Sequence, residues 1–276
     1  MIVAVASGKG GTGKTTVAVA LARAWGARLL DADVEEPNAH LFLRPEISQT
    51  EEIYRMVPVV DEGRCTFCGK CKEICHFSAI TVFPGTVLTF PEMCHACYGC
   101  LEVCPEEALS EGQVLVGKIF CGRGQGVELA YGALEVGEPM ASPLIKALKA
   151  RYLSPGSVSI IDCPPGTSCA VLTAVRGADF CLLVTEPSPF GLHDLRQAAR
   201  AVKTLGVPAG VIVNRAGVDY PELHRFLKAE GLPLLLEIPH RREIAEAYAR
   251  GKSLLEVMPE LREALVSLLP SLRRTS

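Results

Sequence analysis

The feature that most restricts the possible folds of this chain is a glycine-rich segment close to its start. The segment Gly8–Thr15 reads GKGGTGKT, which fits the pattern G-x-x-x-x-G-K-[ST]. The apolar run Ile2–Ala6 before it predicts a strand, and Thr15–Ala27 after it has alanine and leucine at helical spacing. In this context glycines let backbone N–H groups turn onto phosphate oxygens, and the helix N-terminus adds partial positive charge. The segment therefore predicts a strand, loop and helix that bind the phosphates of a nucleotide.

Two side chains of this loop have specific expected roles. Lys14 is expected to lie along the β- and γ-phosphates, and the Thr15 hydroxyl is expected to hold Mg²⁺. The residues expected to contact the nucleotide are Gly8, Gly10, Gly11, Thr12, Gly13, Lys14, Thr15 and Thr16.

The rest of the chain alternates between apolar runs and amphipathic segments. Further strands are predicted at Arg28–Asp31, Val158–Asp162, Phe180–Thr185, Ala209–Asn214 and Leu234–Ile238. Helices are predicted at Leu144–Tyr152, Ala170–Gly177, Leu192–Leu205, Tyr220–Glu230, Arg241–Arg250 and Glu260–Leu269. Strands that alternate with helices predict an α/β fold, with a mostly parallel sheet covered by helices on both faces.

The cysteines are concentrated in the middle of the chain. Eight of the 12 cysteines fall between Cys65 and Cys104, as two copies of C-x₂-C-x₂-C-x₃-C that start 29 residues apart. This doubled spacing is the pattern of bacterial ferredoxins with two [4Fe–4S] clusters, in which the fourth cysteine of each copy binds the other cluster. One predicted cluster is bound by Cys65, Cys68, Cys71 and Cys104, and the other by Cys94, Cys97, Cys100 and Cys75. Zinc bound by C-x₂-C pairs is the alternative.

We expect residues 58–112, which contain both copies, to form a small inserted ferredoxin module. Residues 1–57 and 113–276 would then form the nucleotide-binding domain. The first copy departs from the ferredoxin pattern because His76 stands where proline usually follows the fourth cysteine.

A resemblance to a known superfamily becomes specific at Lys9, an extra lysine at the second position of the loop. The segment resembles the deviant P-loop of the MinD, Mrp and nitrogenase-iron-protein superfamily. Further segments that resemble this superfamily follow in order: Asp31–Asn38, Gly132–Pro139, Asp162–Thr167 and Thr185–Asp194. Together with the cysteine module, the chain resembles MinD-superfamily P-loop ATPases that contain an inserted ferredoxin domain.

This resemblance implies ATP as the nucleotide, Mg²⁺ as its metal, and a homodimer that forms with ATP. Lys9 would reach the partner's nucleotide, Asp33 would orient the attacking water, and Asp31 would lie near Mg²⁺. Asp162 would bind Mg²⁺ through water, so the implied catalytic residues are Lys9, Lys14, Asp33 and Asp162. Asn214 and Arg215 would lie at the adenine ring. We call Asp31–Asn38 the first switch segment and Asp162–Thr167 the second switch segment, after the superfamily segments that they resemble.

Three functions remain open from the sequence. The first is an ATPase that gates electron transfer to an unidentified redox protein, and the second is an Mrp-type ATPase that assembles or carries iron–sulfur clusters for an acceptor protein. The third is a MinD-like positioning ATPase with structural clusters; an apolar face of the last helix near Arg273 and Arg274 would serve it, although Pro270 is expected to interrupt that helix.

The composition and the positions of the remaining cysteines bear on the partners and the location of the protein. The net charge of −3 gives no excess of basic side chains, so we expect no nucleic-acid partner. Since no apolar run reaches membrane-spanning length and no export signal is evident, we expect a cytoplasmic protein. Cys163 and Cys169 flank the second switch segment, so a cluster that bridges two subunits is a further alternative to their role as apolar filler.

Overall fold

The computed structural model describes residues 1–154 and 156–273. The strands of the described chain are β1 (Ile2–Ala6), β2 (Arg28–Asp31), β3 (Glu46–Val60), β4 (Ile80–Phe83), β5 (Thr86–Thr89), β6 (Leu109–Gly124), β7 (Val127–Leu134), β8 (Ser159–Asp162), β9 (Phe180–Thr185), β10 (Ala209–Ala216) and β11 (Leu234–Pro239). Its helices are α1 (Lys14–Trp25), α2 (Ala39–Leu43), α3 (Lys70–Ile74), α4 (Gly99–Glu102), α5 (Ala141–Tyr152), α6 (Cys169–Val175), α7 (Pro189–Thr204), α8 (Pro221–Glu230), α9 (Arg242–Ala249), α10 (Leu254–Val257) and α11 (Leu261–Arg273).

One large sheet organises the molecule, with strand order β11-β10-β9-β1-β8-β2-β7-β6-β3. The pairs from β11 to β7 are parallel, and β6 pairs antiparallel with both β7 and β3. The central strands are apolar at successive positions because both faces of this part of the sheet are covered. In β1, for example, Val3 and Val5 pack on one face, whereas Ala4 and Ala6 pack on the other. The predicted α/β fold with a mostly parallel sheet and helices on both faces is confirmed.

The sequence patterns did not indicate a long antiparallel ribbon at one side of the sheet. Strands β3 and β6 pair from Glu46 opposite Arg123 to Val60 opposite Leu109. Close approach of the two backbones requires glycine on β6, since a Cβ at Gly122 would lie 2.2 Å from the Glu46 carbonyl oxygen. The first half of β3, which begins at Glu46, is mostly exposed. It therefore lacks the buried apolar run that predicts the other strands.

The cysteine-rich region lies at the far end of this ribbon. There the Asp61 amide donates to the Ala108 carbonyl at 2.8 Å, and the intervening chain forms α3, α4 and the β4–β5 hairpin. Pro58 pairs with Glu111 inside the ribbon, so the predicted module limits of 58 and 112 fall in strands that continue to either side. Those limits remain a prediction.

The terminal helix differs from the prediction that Pro270 interrupts it. Helix α11 continues through Pro270, which is exposed and whose missing N–H removes one hydrogen bond of the helix. The buried leucines of α11 join the core that contains α1, and the Trp25 indole donates to the Leu265 carbonyl at 2.7 Å. The apolar face of α11 is therefore packed, while Arg274 lies outside the described residues. Within residues 1–154 and 156–273, no helix is both long and apolar enough to cross a membrane.

Candidate nucleotide site and cysteine centres

The glycine-rich loop between β1 and α1 is tightly enclosed where it approaches other segments. Gly13 has a φ of +92°, and a Cβ there would lie 2.3 Å from the Asn214 amide nitrogen. At Gly8 a Cβ would lie 2.1 Å from the Asp194 carbonyl oxygen. By contrast, a Cβ at Gly10 would meet nothing within 4 Å. Gly8 and Gly13 are thus required by close approach, and Gly13 also by its left-handed conformation.

Two acidic side chains lie opposite each other at the ends of neighbouring parallel strands, β2 and β8. Asp31 and Asp162 are paired in the register, and both are fully buried. The Asp31 carboxylate accepts three backbone N–H groups, from Asp33 at 3.1 Å and from Asn38 and Ala39 at 3.0 Å each. Burial nevertheless raises the pKa of Asp31 to about 7. Asp31 thus acts on the first switch segment by holding its backbone.

Asp162 has a different environment. Neither of its carboxylate oxygens has a partner with good hydrogen-bond geometry among the described residues. Burial, and then the charge of Asp31, raise the pKa of Asp162 well above its ordinary value, while the nearby Thr15 hydroxyl and Lys14 ammonium lower it. Buried polar atoms without partners are uncommon and call for an explanation such as an ion or ordered water. A hydrated Mg²⁺ beside Thr15 would satisfy them, because Mg²⁺ keeps several waters and uses few carboxylates.

Asp33 lies between these groups and the surface. It is half-buried, and burial raises its pKa to about 6 although the Lys14 ammonium opposes that shift. Lys14 itself is buried. Lys14, Thr15, Asp31, Asp33 and Asp162 therefore lie at the same end of the sheet, as the sequence predicts for phosphate and Mg²⁺ chemistry.

Lys9 is held within its own chain. Its ammonium contacts one carboxylate oxygen of Glu186 at 2.5 Å, and the guanidinium of Arg215 contacts the other at 3.0 Å. The Lys9 hydrogen bond, opposed by burial, lowers the pKa of Glu186. Arg215 also donates to the Gly11 carbonyl at 3.1 Å. These contacts connect the loop to the segment after β9 and to the end of β10.

A cavity of about 270 Å³ opens beside the glycine-rich loop. Asn214 and Arg215 line it, and Asn214 donates to the Thr12 carbonyl at 2.8 Å. His240 and Tyr248 also line this cavity, and the sequence analysis did not single them out. Their position beside the loop suits a planar base, since aromatic rings offer stacking surfaces.

The eight clustered cysteines divide between two cavities. One cavity is lined by Cys65, Cys68, Cys71 and Cys104, and we call it cluster site 1. The other is lined by Cys75, Cys94, Cys97 and Cys100, and we call it cluster site 2. The structure thus brings together the two sets of four that the sequence predicts, including the exchange of Cys75 and Cys104.

Backbone N–H groups donate to the sulfurs of Cys75 and Cys104, the fourth cysteines of the two copies. Ala79 donates to the Cys75 sulfur and Ala108 donates to the Cys104 sulfur, both at 3.3 Å. These equivalent bonds in the two copies suit thiolates, which accept hydrogen bonds and bind iron. In the described chain, no three His, Cys, Asp or Glu side chains converge closely enough to bind a single metal ion. Four thiols around a space match the donor set of a [4Fe–4S] cluster.

Among residues 1–154 and 156–273, the remaining cysteines do not form a further group that could bind a metal ion. Cys163 is buried and Cys181 is buried, whereas Cys169 is exposed at the start of α6. Burial raises the pKa of the Cys163 thiol, which suits an apolar filler. Cys163 and Cys169 therefore differ in access to the surface, and a cluster bridged by both would require the buried thiol to become accessible.

Several contacts of the site follow from no sequence pattern. Glu186 belongs to a segment that the resemblance marked, but no pattern indicated that it binds Lys9. Arg55 forms a buried ion pair with Glu138 and donates to the Cys94 carbonyl at 3.0 Å. No local signal indicates Arg55, because its partners are 39 and 83 residues away in the chain.

Comparisons with known proteins agree with this geometry. A family model described as the CobQ/CobB/MinD/ParA nucleotide binding domain matches residues 3–255. An uncharacterized protein of Methanocaldococcus jannaschii is 29% identical over 263 residues, which cover 93% of this chain and 92% of the relative. An iron-sulfur cluster carrier protein of Pyrococcus horikoshii is 27% identical over 305 residues, covering 98% of this chain and 87% of the relative.

The solved structures show a similar fold. The crystal structure of the cell division ATPase MinD from Pyrococcus furiosus matches with a TM-score of 0.60 and 22% identity, covering 100% of this chain and 99% of that one. At this identity the match supports the fold alone.

Proposed function

The chain belongs to the CobQ/CobB/MinD/ParA family of nucleotide-binding proteins, and from this premise we propose that it is an ATP-hydrolysing iron–sulfur protein. Its nucleotide state would be coupled to electron transfer or to the handling of metal clusters. One observation carries this proposal: two cavities, each lined by four cysteines, lie on a ribbon that is continuous with the nucleotide-binding sheet.

The proposed ATPase chemistry uses the residues at the ends of β1, β2 and β8. The backbone of the glycine-rich loop and Lys14 would bind the phosphates, and Thr15 with Asp162 would hold hydrated Mg²⁺. Asp33 would orient the attacking water. Its raised pKa of about 6 leaves it mostly ionised at neutral pH, as a hydrogen-bond acceptor for that water must be.

The proposed homodimer would give Lys9 a second partner. In the single chain its ammonium is neutralised by Glu186, and its side chain is about one-third exposed. In the dimer Lys9 would exchange this partner for the phosphates of the opposite subunit. A cation that stabilises the transferring phosphoryl group is worth on the order of 10³-fold or more in rate.

The proposed cofactors of the cysteine centres are two [4Fe–4S] clusters, which would supply one-electron storage. The thiols and the N–H groups of Ala79 and Ala108 fit such clusters. Because four cysteines line each cavity, both clusters would be fully bound by this chain. Full ligation favours storage and transfer of electrons over release of the cluster, so we place electron transfer to a redox partner protein first.

The alternative is an Mrp-type ATPase that carries clusters to an acceptor protein. The name of the Pyrococcus horikoshii relative, an iron-sulfur cluster carrier protein that aligns with 98% of this chain, favours it. A MinD-like positioning role has less support, because the apolar face of α11 packs against the core that contains α1. For either of the first two functions we expect a cytoplasmic protein.

The first test is anaerobic purification followed by iron and sulfide analysis and EPR of the reduced protein. We expect about eight irons per chain as two clusters. Zinc in place of iron, or a single cluster in the intact protein, would contradict the proposal. ATPase rates of oxidised and reduced protein then compare the two functional alternatives.

The second test is potentiometric titration of both clusters without nucleotide, with ADP and with a non-hydrolysable ATP analogue. A one-electron midpoint that moves by about 59 mV corresponds to a tenfold change in equilibrium, or ~1.4 kcal/mol. This is within the ~1–3 kcal/mol of usual allosteric coupling. If every midpoint is the same in the three states, electron gating fails and the carrier function moves ahead.

A further inference from the structure

We propose that the buried ion pair of Arg55 and Glu138 is the connection through which the first switch segment acts on cluster site 2. Cluster site 2, and not cluster site 1, would therefore respond to the bound nucleotide. Arg55 would act as a positioning residue for the loop that contains Cys94. This inference rests on the proposed iron–sulfur function and adds which centre responds and through which side chains.

The ion pair is almost completely enclosed. Both side chains are 4% exposed, and the Arg55 guanidinium donates to Glu138 from Nη2 at 3.1 Å and from Nε at 3.3 Å. The remaining nitrogen, Nη1, donates to the Cys94 carbonyl at 3.0 Å. Glu138 also accepts the Met140 amide at 3.2 Å. A buried pair costs desolvation and is weak evidence for stability, which favours a positioning role for it.

Glu138 is connected to the first switch segment through a short stretch of backbone. The Leu134 amide donates to the Val34 carbonyl at 2.8 Å, and Val34 follows Asp33 directly. Val34 also packs on the strand before this stretch, since a Cβ at Gly132 would lie 2.6 Å from its side chain. A displacement of Val34 would therefore move Leu134 and, four residues later, Glu138. Arg55 would pass this movement to the backbone of a cluster ligand.

Cluster site 1 has no equivalent arrangement in its described surroundings. The ligand that corresponds to Cys94 in the first copy is Cys65, whose amide donates to the Asp61 carbonyl at 3.1 Å. The arginine beside it, Arg64, is 54% exposed and reaches the Glu106 carbonyl at 2.8 Å. An exposed cation is screened by water, so it transmits little to the cluster.

A cavity gives the loop of cluster site 2 space to move. It measures about 400 Å³ and is lined by Glu35 of the first switch segment, by Arg55 and His95, and by Ser168 and Cys169 after the second switch segment. The loop is thus held by the Arg55 contact on one side and faces open space on the other. Packed interiors resist small shifts, whereas a loop beside a cavity does not.

The physical effect on a cluster would come from charge and hydrogen bonding. The reduced cluster carries one more negative charge, so the Arg55 guanidinium and its hydrogen bond to the ligand backbone favour reduction. The Glu138 carboxylate opposes this effect, but it contacts Nε and Nη2, whereas Nη1 contacts the Cys94 carbonyl, so the guanidinium dominates. Any change in the position of Arg55 should shift the midpoint potential of cluster site 2.

The test is the double variant Arg55→Gln with Glu138→Gln, which leaves no unpaired buried charge. Its matched control is Glu52→Gln with Lys118→Gln, an ion pair on the same ribbon whose side chains are 45% and 41% exposed. Midpoints are measured without nucleotide, with ADP and with a non-hydrolysable ATP analogue. Cys68→Ser and Cys97→Ser identify which midpoint belongs to which site.

We expect the double variant to lower the midpoint of cluster site 2 by about 59 mV, a tenfold change, and to abolish its response to nucleotide. Cluster site 1 and the control should be unchanged. Equal shifts at both sites, an unchanged nucleotide response, or the same shift in the control would overturn the inference.

Arg55→Lys serves as the second variant if the double variant loses iron at cluster site 2. It keeps the charge but not the two-pronged contact, so the midpoint should stay near that of the natural protein while the nucleotide response falls. A full response in Arg55→Lys would also overturn the inference. Absence of clusters from the natural protein would contradict the proposed function itself, whereas clusters that respond to nucleotide independently of Arg55 would contradict this inference alone.

Discussion

The Asp162 carboxylate should destabilise the nucleotide-free protein, because it is buried and residues 1–154 and 156–273 give it no partner with good hydrogen-bond geometry. Asp162→Asn should therefore stabilise the protein while abolishing Mg²⁺-dependent hydrolysis. The amide is similar in shape and carries no charge to desolvate. A side chain that is kept at the expense of stability is expected where function requires it.

The size of this effect comes from burying a carboxylate without hydrogen-bond partners, which costs at least ~1–3 kcal/mol. Burial, and then the charge of Asp31, raise the pKa of Asp162 well above its ordinary value. Because the folded protein holds this proton more tightly than the unfolded chain, the cost is absent below about pH 4 and grows as the pH rises towards the folded pKa.

The assay is thermal unfolding at matched heating rates, without metal or nucleotide, at pH 8 and pH 5. For domains of about this size 1 kcal/mol corresponds to roughly 2–4 °C, so Asp162→Asn should melt about 5 °C or more higher at pH 8. Its gain at pH 5 should be smaller. Asp219→Asn, at an exposed carboxyl group, is the control and should change neither value. A variant that melts at or below the natural protein at pH 8 would refute the reasoning, since the carboxylate would then have stabilising partners.

Three further predictions concern the loop and the cysteine centres. Cys75→Ala should lower the iron content of cluster site 2, which Cys75 lines, and leave cluster site 1 intact. Iron analysis with EPR of both sites checks this, and loss of iron at cluster site 1 instead would contradict the predicted ligand sets. Lys9→Ala should keep nucleotide binding but lose the ATP-dependent dimer and hydrolysis, by about 10³-fold; an unchanged dimer in sedimentation would exclude the role. Gly13→Ala should weaken nucleotide binding at least ~10-fold in calorimetry, because of ~1–2 kcal/mol of backbone strain and a clash of the new Cβ with Asn214. Gly10→Ala, which has open space around its Cβ, should bind the nucleotide normally.

Most of the candidate site could be predicted from the sequence because it depends on short-range patterns. The glycine-rich loop needs particular backbone conformations within a few consecutive residues. Asp31 and Asp162 end buried strands, and parallel strands bring their carboxyl ends to one edge of the sheet. The two sets of four cysteines follow from a spacing that occurs twice. Each of these features is written in neighbouring residues or in a repeat.

The long ribbon of β3 and β6 could not be predicted in the same way. The half of β3 that begins at Glu46 is mostly exposed. The ribbon there is stabilised by backbone pairing between residues such as Glu46 and Arg123, which are distant in the chain. Likewise, Pro270 suggested a helix end by local propensity, but the buried leucines of α11 continue the helix past it. Tertiary packing overrides a local preference of this kind.

By itself, then, the sequence determined the α/β class, the phosphate-binding loop and the grouping of the cysteines, since backbone geometry and ligand spacing are local properties. Only the tertiary structure decided that Glu186 neutralises Lys9 from 177 residues away and that Arg55 joins Glu138 to the backbone of Cys94. It also decided that Asp162 is buried with no well-aligned hydrogen-bond partner in the described part of the chain. These contacts depend on strand register and on which side chains are removed from water together. Charge interactions become strong and specific only in the low-dielectric interior that folding creates. No run of neighbouring residues encodes which charges meet in that interior.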